Sequence, residues 1–217
     1  MALLRVDSSI LGPHSASREL ADLVQKHWTD EHAYSAVVTR DLGANPIPAT
    51  YWPAAVSAGQ APEDQRTDEQ KAATALAAEL FDELKNAETI IIATGLYNWG
   101  VNQYLKAWLD LIMATAPVGE QLLADKDVTL VVARGGYYGD DGPRAGWDHG
   151  TPWLVRILSE VWGGNVTVVE RDLTLAGINP VLDEFKEQGA QLRAAAYDKS
   201  QQTGKQLAAA YAARKSA

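Results

Sequence analysis

The sequence predicts a three-layer α/β/α sandwich around a five-stranded parallel sheet. Two observations carry this reading. Five short apolar segments rich in β-branched residues alternate with helical segments along the whole chain. Strands buried on both faces by helices read in this way, as continuous apolar runs between crossover helices. In addition, polar turns with unusual content follow the first, third and fourth of these segments, where such sheets bind ligands.

The elements follow in order. Leu3-Leu4-Arg5-Val6-Asp7 is a short first strand. Arg18 to Trp28 is helical, with Leu20, Leu23, Val24 and Trp28 at helix spacing. Tyr34 to Arg40 is the second strand. Asp41 to Asp68 is a long connection holding Pro46, Pro48, Pro53 and Pro62, with a short helix near Pro53 to Gly59. Connections of that length often act as lids or interface segments. Glu69 to Lys85 is a helix rich in Ala, Leu and Glu. Thr89 to Ala93 lies in the third strand and Val101 to Met113 forms the next helix. The fourth strand contains Val128-Thr129-Leu130-Val131-Val132. Trp147 to Trp162 is mostly helix, and Val166 to Glu170 is the fifth strand. Asn179-Pro180 starts a final helix, since proline suits the first helical turn. Gly204 weakens its end, so the tail 200–217 is expected to be flexible. A single domain spanning 1–217 accommodates all of this.

The chain has 217 residues, 47% of them hydrophobic, a formal net charge of -9 and a sequence pI near 4.9. Such a balance disfavours nucleic acid and anionic membranes as partners. It does not disfavour a small anion, which backbone N–H groups bind locally. Without cysteine there is no disulfide, thiolate nucleophile or Cys-ligated metal. No secretory signal or membrane-length apolar run is present, so a cytoplasmic location is expected. The adjacent Asp140 and Asp141 lack further ligands nearby, and no metal is expected.

Three loops hold the candidate site. A strand order of 2-1-3-4-5 brings the loops after strands one, three and four to one edge. The first runs through Ser9, Gly12, Ser15, Ala16 and Ser17 into a helix. Its hydroxyls and free helix-start N–H groups suit a phosphate, although Ser15 or Ser17 could equally be a helix cap. It matches neither G-x-G-x-x-G nor the Walker A pattern. The second loop is Leu96-Tyr97-Asn98-Trp99-Gly100. Its aromatics suit a planar ring and Asn98 a polar ring edge, with Gly100 permitting close backbone approach. Packing at a helix start, with Asn98 as cap, is the alternative. The third loop is Arg134-Gly135-Gly136-Tyr137-Tyr138-Gly139, preceded by Ala133. Its glycines bare N–H groups that can bond ring carbonyls and nitrogens and stabilise charge formed on reduction. The alternative is an ordinary surface loop. Together, a phosphate seat, an aromatic bed and a glycine rim describe a phosphorylated planar cofactor. FMN fits, in a flavodoxin-like arrangement.

These residues resemble the FMN-dependent NADH-azoreductase (NADH:quinone oxidoreductase) family. Ser8 to Ser17 looks like its phosphate loop. Leu96-Tyr97-Asn98-Trp99-Gly100-Val101 resembles its Met-Tyr-Asn-Phe-Gly segment, continued by Leu105 to Asp110, and Arg134-Gly135-Gly136 matches its flavin-rim loop. The likeness continues through Thr151 to Leu154 and Val161 to Gly163, then thins after Pro180. It implies a homodimer with FMN at the subunit interface. It also implies ping-pong transfer of two electrons from NADH to quinones or azo compounds. The flavin supplies the redox chemistry, so no catalytic acid or base is assigned.

The departures are informative. Ala133 stands where the family often has Ser or Thr, and Trp99 replaces the usual Phe. Trp162 stands where the family places an aromatic on the substrate side. With Trp52 and Tyr138 it is assigned to substrate binding, giving a wide aromatic acceptor site. The competing readings are an FMN reductase that releases reduced flavin, a one-electron carrier and a non-enzymatic interaction module.

Overall fold

The computed structural model describes residues 1–216. Its sheet is parallel throughout, in the order β2-β1-β3-β4-β5. The strands are β1 (Leu3–Asp7), β2 (Val37–Asp41), β3 (Thr89–Leu96), β4 (Asp127–Arg134) and β5 (Asn165–Arg171). The helices are α1 (Ala16–Glu31), α2 (Tyr51–Ala58), α3 (Asp68–Asn86), α4 (Gln103–Met113), α5 (Thr151–Arg156) and α6 (Lys186–Ser216). Among the described residues no helix is long and apolar enough to cross a membrane.

Side chains alternate across a strand, and here the alternation separates two cores. Leu4, Ile90, Ile92, Leu130 and Val132 face a buried cluster with α3, α4 and α5. Leu3, Ile91, Ala93, Val131 and Val169 face a second cluster with α1 and α6. On this second face β1 continues as Arg5 and Asp7, both buried. Arg5 bonds Asp7 Oδ1 at 3.1 Å and Asp22 at 2.5 Å. Arg18 of α1 grips Asp41 at the end of β2 through two bonds of 2.5 and 2.6 Å. The edge of the sheet is therefore closed by paired charges rather than by apolar side chains.

Several elements differ from expectation. β2 begins at Val37, because Tyr34 is fully exposed in the turn after α1. Residues 147–150 are not helical; α5 opens at Thr151 with Pro152 in its first turn and passes into a π-helical turn, Ile157–Val161. The final helix starts as a 3₁₀ segment, Pro180–Phe185, and becomes α-helical at Lys186.

The tail is also different. Residues 200–216 belong to α6, and Ser200, Thr203, Gly204, Leu207, Ala208 and Tyr211 are buried; Ala217 lies outside the described residues. Gly204 is a packing position, since a Cβ there would stand 2.5 Å from the Val24 carbonyl oxygen. Tyr211 lies 5.2 Å from the Trp28 ring and 4.8 Å from that of His32. His32 Nε2 meets the Ala208 carbonyl at 2.9 Å. Glycine's low helix propensity is outweighed here by close helix contact.

The Arg18–Asp41 pair makes stability pH-dependent. The two bonds from Arg18 hold the Asp41 carboxyl below its ordinary value of 3.8. A depressed folded-state pKa adds stability that is complete above the ordinary value and lost as pH falls through the folded one. The melting temperature should therefore fall on acidification below about pH 4. Asp41→Asn should lower it at pH 7 and flatten that acid limb, as thermal melts from pH 7 to 2.5 would show. An unchanged acid limb in the variant would refute the assignment.

Candidate functional site

The strand order places the ends of β1, β3 and β4 side by side, with Asp7 opposite Ala93 and Leu96 opposite Arg134. The end of a parallel strand leaves backbone and side-chain polar groups without sheet partners. Here one buried residue gathers them. Asn102, 4% exposed, caps α4 by accepting from Tyr104 and Leu105 N–H, each at 3.0 Å. Its Nδ2 donates to Ser8 Oγ at 2.9 Å and Thr94 Oγ1 at 2.8 Å. The cap of α4 is thus Asn102 and not Asn98.

The loop after β1 forms the first wall. Ser15 caps α1, accepting from Arg18 N–H at 3.3 Å, and its Oγ lies 3.0 Å from Ser17 Oγ. The cap and the anion seat are compatible, because the cap uses only the Arg18 N–H. Ala16 and Ser17 line the adjoining cavity at the positive end of the α1 dipole. Ser9 Oγ accepts from Leu11 N–H at 3.2 Å and sits 3.1 Å from the Tyr97 hydroxyl. That hydroxyl also accepts from Ile10 N–H at 3.3 Å. The cavity, about 140 Å³, is completed by Leu96, Tyr97, Ala133 and Gly135.

The loop after β3 is a tight turn closed by Gly100 N–H to the Tyr97 carbonyl at 3.1 Å. Asn98 and Trp99, its central residues, have φ of 49° and 63°. Asparagine tolerates this left-handed region, but a bulky side chain there is a genuine outlier. Such a residue costs about 1–2 kcal/mol and is retained where the surroundings demand it. The turn projects Trp99, 43% exposed, against the ring of Trp147 at 5.9 Å. A Cβ on Gly100 would meet open space, whereas one on Gly150 would have Leu96 and the Gly100 backbone in its path.

The loop after β4 is held from beneath. The Arg134 guanidinium is mostly enclosed and meets Asp148 at 2.9 Å, Glu170 at 3.0 Å and Asp172. Burial opposes its charge, but these carboxylates outweigh burial and raise its pKa. Asp148 is likewise penalised by burial, yet hydrogen bonds from Thr151, Arg134 and Gly150 hold it below the usual range. The Arg134 side chain is thus a structural tie, each of its three nitrogens facing a carboxylate. Asp172 also accepts from Tyr138 N–H at 2.8 Å. Gly135 and Gly136 carry no side chain because Leu175 and Arg144 occupy that space. Beyond them lies a second cavity of about 260 Å³, bordered by Asn98, Trp99, Gly136, Tyr138, Arg144 and Leu175.

Of the expected site residues, Ser9, Ser15, Ala16, Ser17, Leu96, Tyr97, Ala133 and Gly135 line the first cavity. Asn98, Trp99, Gly136 and Tyr138 line the second. Others fall elsewhere. Tyr137 folds over its own loop, donating to Asp141 at 2.6 Å, with its ring across Gly139 and Gly142. Trp162 is 2% exposed in the core with Leu123 and Leu158, where the π-helical turn and Gly163 direct it inward. Trp52 is half exposed on α2 and borders neither cavity. Thr174 and Leu175, after β5, line the seat although nothing in their local sequence marks them. Asn102 carried a readable signal, an asparagine immediately before a helical run. No cluster able to hold a metal occurs among the described residues.

A flavodoxin-like fold family model matches residues 1–165. An FMN-dependent NADH:quinone oxidoreductase of Parafrankia sp. (strain EAN1pec) is 34% identical over 213 residues, covering 96% of this chain and 99% of the relative. One from Streptomyces coelicolor is 35% identical over 189 residues, 84% of each chain. Among solved structures, an azoreductase from Bacillus anthracis str. Sterne aligns with a TM-score of 0.74 at 18% identity. It covers 95% of this chain and all of the other. An FMN-dependent NADH-azoreductase from Bacillus anthracis str. Ames Ancestor, in complex with FMN, aligns at 0.73 and 18% identity, covering 95% and 99%. These structural likenesses speak to the fold.

Removing the Asn102 amide tests how the edge is held. Asn102→Ala should cost about 2–4 kcal/mol, combining a lost helix cap with unsatisfied buried groups. Asn102→Asp keeps the cap but not the donors, and should recover part of that loss. Urea unfolding midpoints of the two variants and the parent would decide; equal midpoints for all three would contradict this role.

Proposed function

This chain belongs to the flavodoxin-like family of FMN-dependent NADH:quinone oxidoreductases, and from that premise we propose that it binds FMN across the three loops. It then carries two electrons from NADH to quinones and aromatic azo compounds, donor and acceptor occupying the site in turn. The observation that supports this most is the convergence of a serine-lined helix start, an aromatic turn and a glycine rim on adjoining cavities. The donor set suits the cofactor. The hydroxyls of Ser9, Ser15 and Ser17 and the α1 N-terminus would hold its phosphate. Tyr97, Asn98 and Trp99, with the Gly135 and Gly136 backbone, would hold its ring. The chemistry that bound FMN supplies is hydride acceptance and donation.

The chain's own residues orient and enclose. Leu96 and Leu175 give the seat an apolar wall that would exclude water from one side of it, which strengthens polar contacts within it. The paired charges around Arg134 keep the glycine rim in place without presenting a free cation to the ring. No side chain need act as acid or base, and solvent can supply protons. Trp52 and Val56 are both half exposed, four residues apart on α2. We assign this apolar patch to a homodimer contact, through which Trp52 would reach the acceptor side of a partner's site. A cytoplasmic location completes the reading.

FMN titration followed by tryptophan emission, then anaerobic stopped-flow mixing with NADH and a quinone, tests the proposal. Flavin bleaching by NADH and recovery by quinone are expected, with parallel double-reciprocal plots in steady state. Ser17→Ala should weaken FMN binding about 5–10-fold, the loss of one hydrogen bond to a charged group. Light scattering should give twice the 23.5 kDa chain mass. Absence of FMN binding would overturn the functional reading, and a monomer mass would overturn the α2 assignment alone.

A further inference from the structure

The lip of the second cavity carries a feature the reaction itself does not require. Arg144 stands on the loop between Gly139 and Trp147, exposed, and pairs with no carboxylate among the described residues. Its guanidinium lies over the Tyr138 ring, 5.8 Å from the centroid, and against Gly136, whose missing side chain leaves it room. The other arginine near Tyr138, Arg134, is fully engaged by carboxylates. Of the acids on the Arg144 loop, Asp141 is taken by the Tyr137 hydroxyl. Beside this cation stands the Trp99–Trp147 corner, two half-exposed indoles set edge to face at 5.9 Å. Trp99 holds that place at the expense of a left-handed backbone. On a chain of net charge -9, an exposed guanidinium and the Trp99 indole border one cavity, with Trp147 set against Trp99 beside it.

We propose that Arg144, with Trp99 and Trp147, selects flat aromatic acceptors that carry an anionic substituent, a sulfonate or carboxylate. Building on the NADH-to-acceptor reading, this deepens it by naming a preferred substrate class. The indoles offer faces and edges to a planar ring. The guanidinium offers paired donors to a planar or tetrahedral anion at the ring's margin. Its contact with the Tyr138 ring favours one placement of the guanidinium, which lowers the freedom lost on binding. The same cation could instead meet the diphosphate of NADH, and the test separates the two sources.

The parent, Arg144→Gln and Arg144→Lys are compared with 1,4-naphthoquinone, with 1,4-naphthoquinone-2-sulfonate and with NADH as the varied substrate. In Arg144→Gln the kcat/KM for the sulfonate should fall about 5–10-fold, through KM, as expected for one lost charge-assisted contact. The neutral quinone and NADH should change less than about twofold, within the range of an exposed charge change. Arg144→Lys should retain an intermediate preference, and the parent's preference should shrink with added salt. Equal losses for both quinones, or a loss confined to NADH, would overturn the proposal. Binding is read independently of turnover, as quenching of tryptophan emission by the sulfonate. Quenching should weaken in Arg144→Gln and in Trp147→Phe. If the parent binds the sulfonate in this way but oxidises no NADH, the functional reading fails and the lip stands. If it turns over both quinones but shows no Arg144 effect, the lip fails and the function stands.

Discussion

The buried amide of Asn102 is the constraint around which the ligand edge is arranged. Parallel strands end with polar groups that no neighbouring strand satisfies, and a helix begins with N–H groups in the same condition. In this chain both deficits meet at one place. Asn102 resolves them together, donating to hydroxyls at the ends of β1 and β3 and accepting from the first turn of α4. Because that one side chain serves both deficits, the loop between β3 and α4 has little freedom. Its few residues must turn sharply, which places Asn98 and Trp99 in left-handed conformations and aims the indole outward.

The third loop is held by a different device. Arg134 draws together carboxylates from the end of β5, from the segment before α5 and from the loop after β5. Breaking a buried pair of this kind is strongly destabilising because an uncompensated charge remains. The geometric result is that the glycine rim, the α5 start and the Leu175 segment are tied together through one guanidinium and the backbone bonds of Leu173, Thr174 and Leu175 to the rim. On the opposite side, Arg18 and Asp41 do the same for the loop after β1: Asp41 also accepts from the Gly43 and Ala44 N–H groups at 3.0 and 2.9 Å. A Cβ on Gly43 would collide with the Ser9 carbonyl oxygen. The candidate seat is therefore formed by three short loops, each tied from behind by a polar anchor: Arg18–Asp41, Asn102 and Arg134.

This division of labour accounts for the chemistry the site offers. Titratable groups are spent behind the loops, in pairs, and the faces turned to the ligand are hydroxyls, N–H groups and rings. Such a surface suits a cofactor that brings its own reactivity and needs orientation and exclusion of water. Arg144 and the open Trp99 indole stand outside the seat, where we propose that contacts discriminate among acceptors.

The sequence by itself determined the fold class, the strand order's consequence for the ligand edge, and the three loops in their correct order. Those features are local: apolar runs, helix spacing, and serines before a helix register in a few neighbouring residues. It did not determine which members of each loop face the ligand. Arg134 reads as a rim residue, but its guanidinium is engaged by Asp148, Glu170 and Asp172. Trp162 reads as a substrate contact, but a π-helical turn rotates it into the core. Tyr137 folds back onto its own glycines, and Gly204 reads as a helix breaker where two helices in fact come into contact. Asn98 reads as the cap of α4, but Asn102 is the cap and joins two strands as well. Thr174 and Leu175 had no local mark at all. Side-chain direction depends on partners supplied from elsewhere in the chain, and only the tertiary structure brings those partners together.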